Sequence, residues 1–87
     1  MKSIKIRDLG DGYKLRKPME LIVSTKRSRV YAFDVQTGRH GYGGTEEKAV
    51  EGCKSAIAEY FDTLNGMESL SPAKERDLRI LGEFIVS

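Results

Sequence analysis

An α+β fold is predicted by three observations. Residues 3–36 alternate apolar and polar side chains with the period of two of half-buried strands. Residues 45–64 switch to the three-and-four spacing of an amphipathic helix. The two patterns follow one another along the chain instead of interleaving, which segregates sheet and helix into layers. The expected architecture is a three- to four-stranded antiparallel sheet covered on one face by a long helix, followed by a short C-terminal helix, in the order β-β-β-α-α.

The first strand is read over residues 3–8, where Ile4 and Ile6 face one way and Lys5 and Arg7 the other. Gly10-Asp11-Gly12 reads as a turn. Tyr13 and Leu15 resume the alternation, opposed by Lys14, Arg16 and Lys17. Pro18 interrupts it: lacking an N–H, it belongs at an edge, a bulge or a strand start. Met19–Thr25 is the next strand, with Met19, Leu21 and Val23 inward. Lys26-Arg27-Ser28 makes a polar hairpin loop. Arg29–Gln36 returns as a strand rich in β-formers, with Tyr31, Phe33 and Val35 expected inward. Thr37-Gly38-Arg39 turns, and His40–Gly43 forms a last short strand leading into the helix.

That helix is the strongest signal in the chain. Thr45 is a good N-cap, because its hydroxyl can accept from an orphan N–H of the first turn. Glu46 and Glu47 put negative charge at the positive end of the helix dipole. Ala49, Val50, Cys53, Ala56, Ile57, Tyr60, Phe61 and Leu64 then form one apolar stripe, expected to bury Val50, Cys53, Ile57 and Tyr60 or Phe61 against the sheet. Asn65-Gly66 ends it, with Gly66 placed to take the left-handed conformation. Ser71 and Pro72 open the second helix as N-cap and first residue. Residues 78–86 read as helix or strand, and the spacing of Leu78, Leu81 and Ile85 favours helix.

Eighty-seven residues are expected to form one domain, 1–87, with a modest core. No apolar run is long enough for a membrane span, and the N-terminus has no apolar signal-peptide centre. The single cysteine excludes an internal disulfide and suits a reducing cytoplasm; on the apolar stripe, Cys53 reads as a buried, inert thiol.

Charge is unevenly spread. Residues 1–44 carry ten Lys/Arg against four Asp/Glu, and residues 45–87 carry five against nine. A basic sheet layer would then lie against an acidic helical layer. This is either an ordinary surface bias or a basic surface for nucleic acid or an acidic partner.

Catalytic chemistry finds little support. One His and one Cys, in a loop and on the core stripe, make neither a metal site nor a triad. Asp34 is the lone carboxylate of the strand Arg29–Gln36, and one carboxylate does not hold a pair of metals. Gly41-Tyr42-Gly43-Gly44 before a helix invites a phosphate-loop reading, but it lacks GxGxxG spacing, and Glu46 and Glu47 would repel a phosphate there. The glycines fit a tight strand-to-helix connection. Neither an enzyme nor a bound cofactor is expected.

Four stretches carry a resemblance: DLGDGYKLRKPMELIV, VYAFDV, GYGGTEEKAVEGCKSAIAEYFDTL and LSPAKERDLRILGEFI. Together they resemble the small single-domain members of the HicB-like family. The most specific piece is the Gly-rich turn, capping Thr, paired Glu and long helix containing AIAEYF. The resemblance implies a partial ribonuclease-H-like fold and a non-catalytic, antitoxin-type protein that masks a partner, such as a small ribonuclease toxin. Many family members also carry a C-terminal DNA-binding module. Residues 71–87 are too few for a helix-turn-helix, so none is expected within this stretch.

Two binding readings follow. The first is an antitoxin-type protein acting through a protein partner. The second is a nucleic-acid-binding module using the basic side of the sheet, in the manner of a double-stranded-RNA-binding domain, although the helix start here is TEEKAVE where that fold uses lysines. Candidate contact residues are Lys26, Arg27, Arg29, Arg39, His40 and Tyr42 or, on the acidic helix face and toward a basic partner, Glu47, Glu51, Glu59 and Asp62. Free sheet edges in so small a domain point to a homodimer or higher oligomer.

Overall fold

The computed structural model describes residues 1–10 and 12–86; Asp11 of the expected first turn lies outside them. It is α+β, as the segregated patterns predict. Strands β1 (Lys2–Gly10), β2 (Tyr13–Lys26), β3 (Arg29–Asp34) and β4 (His40–Gly43) form an antiparallel meander in chain order. Helices α1 (Glu46–Gly66) and α2 (Pro72–Phe84) follow, and β5 (Ile85–Val86) returns to the sheet beside β2.

Pro18 sits in a bulge. The β1–β2 ladder pairs Ile6 with Met19 and then Asp8 with Lys14, so β2 runs from Leu15 to Pro18 while β1 runs only through Arg7. A residue without an N–H is accommodated where the ladder is already broken. Beyond the bulge, Lys14 and Leu15 pair with Val86 and Ile85, on the side of β2 that β3 leaves free. Residues 78–86 therefore realise both alternatives, helix to Phe84 and strand afterwards.

Helix starts follow the sequence closely. The Thr45 hydroxyl accepts from the Lys48 N–H at 3.2 Å, and the Ser71 hydroxyl accepts from that of Lys74 at 3.3 Å. The expected left-handed Gly66 is not observed. Gly66 is the last helical residue, and Met67 ends α1 in an extended conformation, its N–H donating to the Leu64 carbonyl.

The core lies between the sheet and both helices. Met19, Leu21 and Val23 of β2 and Ile6 and Leu9 of β1 meet Ala49, Cys53, Ile57 and Phe61 of α1, and Leu81, Phe84 and Ile85 close the end. Val50 and Tyr60 are only half-buried at its margin, where the stripe predicts burial.

Strand β3 overturns the expected facing. Ala32 and Asp34 are fully buried, whereas Tyr31, Phe33 and Val35 are 37%, 37% and 43% exposed. Val35 lies past the strand end, in the turn. The cause is how closely α1 rests on β3 and β4. Ala32 pairs with Gly41, and a Cβ built on Gly41 would stand 2.2 Å from the Cys53 backbone nitrogen. No aromatic ring fits in that gap, so the small residues face the helix and the aromatic ones face away.

The buried Asp34 is satisfied by its own turn. One carboxylate oxygen accepts from the N–H groups of Gln36 (2.8 Å) and Thr37 (2.6 Å). The other accepts from the Thr37 hydroxyl (2.6 Å) and the Arg39 N–H (3.1 Å).

Candidate functional site: the open face of the sheet

Both helices pack on one face of the sheet, and among the described residues no element covers the other. Residues directly opposite each other in an antiparallel ladder share a face, so the registers assign the open face row by row. Ser3, Ile22, Phe33 and His40 form one row; Ser24, Tyr31 and Tyr42 the next; Lys26 and Arg29 the last at the hairpin; Lys5 and Glu20 pair one row beyond Ser3 and Ile22, at the opposite end. The face thus has an aromatic centre, with Ile22 half-buried among the rings and cations at the hairpin end.

Tyr31 and Tyr42 lie 6.2 Å apart between ring centroids, tilted by 38°. Tyr42 is 57% exposed, and the Arg29 guanidinium sits 5.1 Å over its ring. Such a contact keeps the cation ordered while leaving most of its hydrogen-bonding edge free. Lys26, Arg27, Arg29 and Tyr31 line a depression of about 340 Å³. Among the described residues, none of Lys26, Arg27 and Arg29 has a carboxylate within 4.0 Å, whereas Lys2 and Lys54 are paired with Glu46 and with Asp8 and Glu51. The one carboxylate of the rows, Glu20, accepts a hydrogen bond from Ser3.

The hairpin that presents Arg27 is strained. Lys26 pairs with Arg29, leaving a two-residue turn in which Arg27 (φ 52°) and Ser28 (φ 64°) are both left-handed. Such turns favour Asn-Gly, because at positive φ a Cβ crowds the following carbonyl oxygen, which Gly avoids and Asn tolerates.

The other predicted contact residues fall elsewhere. Arg39 leaves the sheet face for the helix side, where its guanidinium stacks 4.1 Å from the Tyr60 ring. There Gly38, Arg39, His40, Ala56, Glu59, Tyr60 and Thr63 line a groove of about 520 Å³. The Tyr60 hydroxyl donates to the buried Asp77 at 2.6 Å; burial and that carboxylate raise the Tyr60 pKa above the ordinary tyrosine value. With Glu59 beside Arg39, the groove combines both signs of charge. Of the acidic residues on the solvent face of α1, Glu51 lies 3.8 Å from Lys54 and Asp62 accepts from the Tyr13 hydroxyl. Glu47 and Glu59 are exposed and make no ion pair among the described residues.

Cys53 is buried, its thiol donating to the Arg39 carbonyl at 3.4 Å, and burial with the nearby Asp34 charge pushes its pKa up to about 12. At neutral pH it is a neutral thiol, a poor nucleophile. No group of three or more His, Cys, Asp or Glu able to hold a metal occurs among the described residues, and none of their helices is long and apolar enough to cross a membrane.

The structure brings Lys26, Arg27 and Arg29 to the hairpin end of the open face, with Tyr42 one row in and His40 a further row away, and places Arg39 in the helix-side groove that His40 also borders. Tyr31 and Phe33, which hydrophobicity assigns to the core, belong to this site. The sequence signal for them is the run of small residues Ala49, Gly52 and Cys53 on α1, which announces a close helix approach and excludes large rings from that side. Compared with known proteins, the chain matches no family model, no curated protein and no solved structure.

Proposed function

We propose that this protein is a non-catalytic binding module whose contact surface is the open face of its sheet, and that the partner it takes there is anionic. One observation carries the reading: exposed Tyr31, Phe33 and Tyr42 lie beside Lys26, Arg27 and Arg29, which have no carboxylate partner of their own among the described residues. Exposed aromatic and arginine side chains concentrate binding energy, and unpaired cations steer an anionic partner onto them. Asp34, the candidate carboxylate for chemistry, already accepts from four donors in its turn, which supports the non-catalytic part of the reading.

The HicB-like, antitoxin-type reading is compatible with this one if its protein partner is acidic. A basic toxin would instead seat on α1, where Glu47 and Glu59 are exposed without an ion-pair partner. A homodimer or higher oligomer belongs to the same proposal: β1 and β4 carry the free edges of the meander, and edge-to-edge pairing would leave the open face accessible. So does a cytoplasmic location, which suits the reduced Cys53.

The test is capture from the native host with three forms of the protein. Arg27→Glu with Arg29→Glu is expected to abolish capture of the partner, while Glu51→Lys with Glu59→Lys leaves it intact. The opposite pattern would move the binding surface to α1 and refute the assignment.

A further inference from the structure

We infer that the anionic partner of the open face is single-stranded nucleic acid, held by stacking unpaired bases on Phe33, Tyr31 and Tyr42 and by placing phosphates on Lys26, Arg27 and Arg29. This inference rests on the open-face reading and narrows it to a ligand class.

Three features of the face select this ligand among anions. The first is ring exposure. Tyr31, Phe33 and Tyr42 are 37%, 37% and 57% exposed on a face that no helix covers. Each base has a π-face, and base–aromatic stacking tolerates any sequence. A duplex keeps its base faces inside its own stack, so it cannot use these rings.

The second is spacing. Tyr31 and Phe33 are alternate residues of one strand, about 7 Å apart. Bases within one strand of a duplex are only ~3.4 Å apart. Two rings at this separation seat neighbouring bases that have been pulled apart. Tyr42 lies beside Tyr31 on β4, 6.2 Å between centroids, and extends the platform across the sheet.

The third is where the cations are and where they are not. Lys26, Arg27 and Arg29 cluster at the hairpin end of the rings, with Arg29 stacked over Tyr42 and able to follow a base or a phosphate. A duplex-RNA grip would need cations at the start of α1. That turn instead opens on Glu46 and Glu47 with Lys48 as its one cation, and Glu46 is bound by Lys2 at 2.7 Å. Acidic side chains would satisfy the cations but offer no aromatic face to stack on three rings.

The experiment is fluorescence-anisotropy titration of the full chain with labelled twelve-nucleotide oligo(U) and oligo(dT), a duplex of equal length and an oligo-glutamate peptide, at 50 and 200 mM salt. At least one single strand is expected to bind at least tenfold more tightly than the duplex or the peptide, and the two single strands together tell RNA from DNA. Phe33→Ala and Tyr42→Ala should each weaken that binding about tenfold, and Phe33→Tyr should restore it. Arg27→Glu with Arg29→Glu should weaken it and flatten its salt dependence. Circular dichroism melting shows that each variant is folded, and light scattering reports whether the face is covered by a second copy.

If the duplex or the peptide binds as tightly as the single strands and the aromatic variants change nothing, while the arginine pair still matters, the nucleic-acid inference falls and the open-face reading stands. If no probe binds, or binding is indifferent to the arginine pair, both fall. A dimer that Phe33→Ala or Tyr42→Ala dissociates would also overturn both, since the face would then be a contact between copies.

Discussion

Replacing Gly41 by alanine probes how closely the helix rests on the sheet. The added Cβ would stand 2.2 Å from the Cys53 nitrogen, 2.5 Å from the Gly52 carbonyl carbon and 2.6 Å from the Ala49 carbonyl oxygen. Ordinary carbon contacts lie near ~3.5–4.0 Å, so the overlap exceeds an ångström and every obstacle is backbone. No rotamer change relieves it; α1 must lift from β4 as a body. Lifting loosens Ala49, Cys53 and Ile57 together, each of which is fully buried. Overpacking alone costs about 1–3 kcal/mol, and the loosened contacts put the expected loss at the top of that range or above it. A chain of this length is stabilised by only ~4–13 kcal/mol in total, so the urea midpoint should fall by a large fraction of its value. Gly44→Ala is the control, with nothing within 4 Å of its added Cβ, and should stay within about 0.5 kcal/mol of the parent. Gly41 is not among the positive-φ residues. On backbone entropy alone, alanine would therefore stabilise by about 0.4–1 kcal/mol. A Gly41→Ala protein as stable as the parent, or more so, would refute the close-approach account of β3.

Three further outcomes can be measured. Arg27→Asn with Ser28→Gly should raise stability by about 1 kcal/mol or more, because both positions are left-handed; a lower urea midpoint would contradict the turn assignment. Asp34→Asn should cost about 2–4 kcal/mol, since an amide accepts through one oxygen where the carboxylate uses two; magnesium- or manganese-dependent RNA cleavage lost in a folded Asp34→Asn variant would overturn the non-catalytic reading. Cys53 ionises more readily unfolded than folded, its pKa being pushed from 9.0 up to about 12. Its contribution is therefore complete below pH ~9 and lost as pH rises toward ~12. Alkaline urea titrations should show this loss in the parent and a smaller one in Cys53→Ala, and native protein should react slowly with thiol reagents at pH 8; fast labelling of folded protein would place the thiol at the surface.

Much of the fold is legible from local chemistry. Thr45 and Ser71 cap their helices because short hydroxyl side chains reach orphan N–H groups wherever they precede an apolar stripe, and no tertiary information is needed. Pro18 announces its bulge for the same kind of reason. The facing of β3 is different. Alternation in VYAFDV defines two faces but not which is inside, and hydrophobicity chooses the rings. The choice is reversed by a distance between α1 and the sheet that depends on Gly41, Gly52 and Ala32 together, residues far apart in sequence. Asp34 adds to the confusion, because a buried carboxylate is improbable until its turn is seen to supply four donors. The candidate site was therefore half visible. Its cations stand out as a cluster at a hairpin, whereas its rings become a site only once the helix has excluded them from the core. Arg39 shows the limit of sequence proximity: one residue from His40, it belongs to the opposite side of the sheet.

The pairing of β5 with β2 orders events in time. The meander from β1 to β4 joins neighbours in sequence, and its turns close short loops at small entropic cost. Leu15 meets Ile85 only after both helices have been laid down between them. Contacts of such separation form late, so a nascent chain can hold its meander and α1 well before residues 85 and 86 dock beside the Pro18 bulge. Until then the inner edge of β2 at Lys14 and Leu15 offers unpaired amides to any passing strand. During that interval Lys14 and Leu15 add a third open stretch, beside the free edges of β1 and β4, at which the chain can mispair with its neighbours on a polysome.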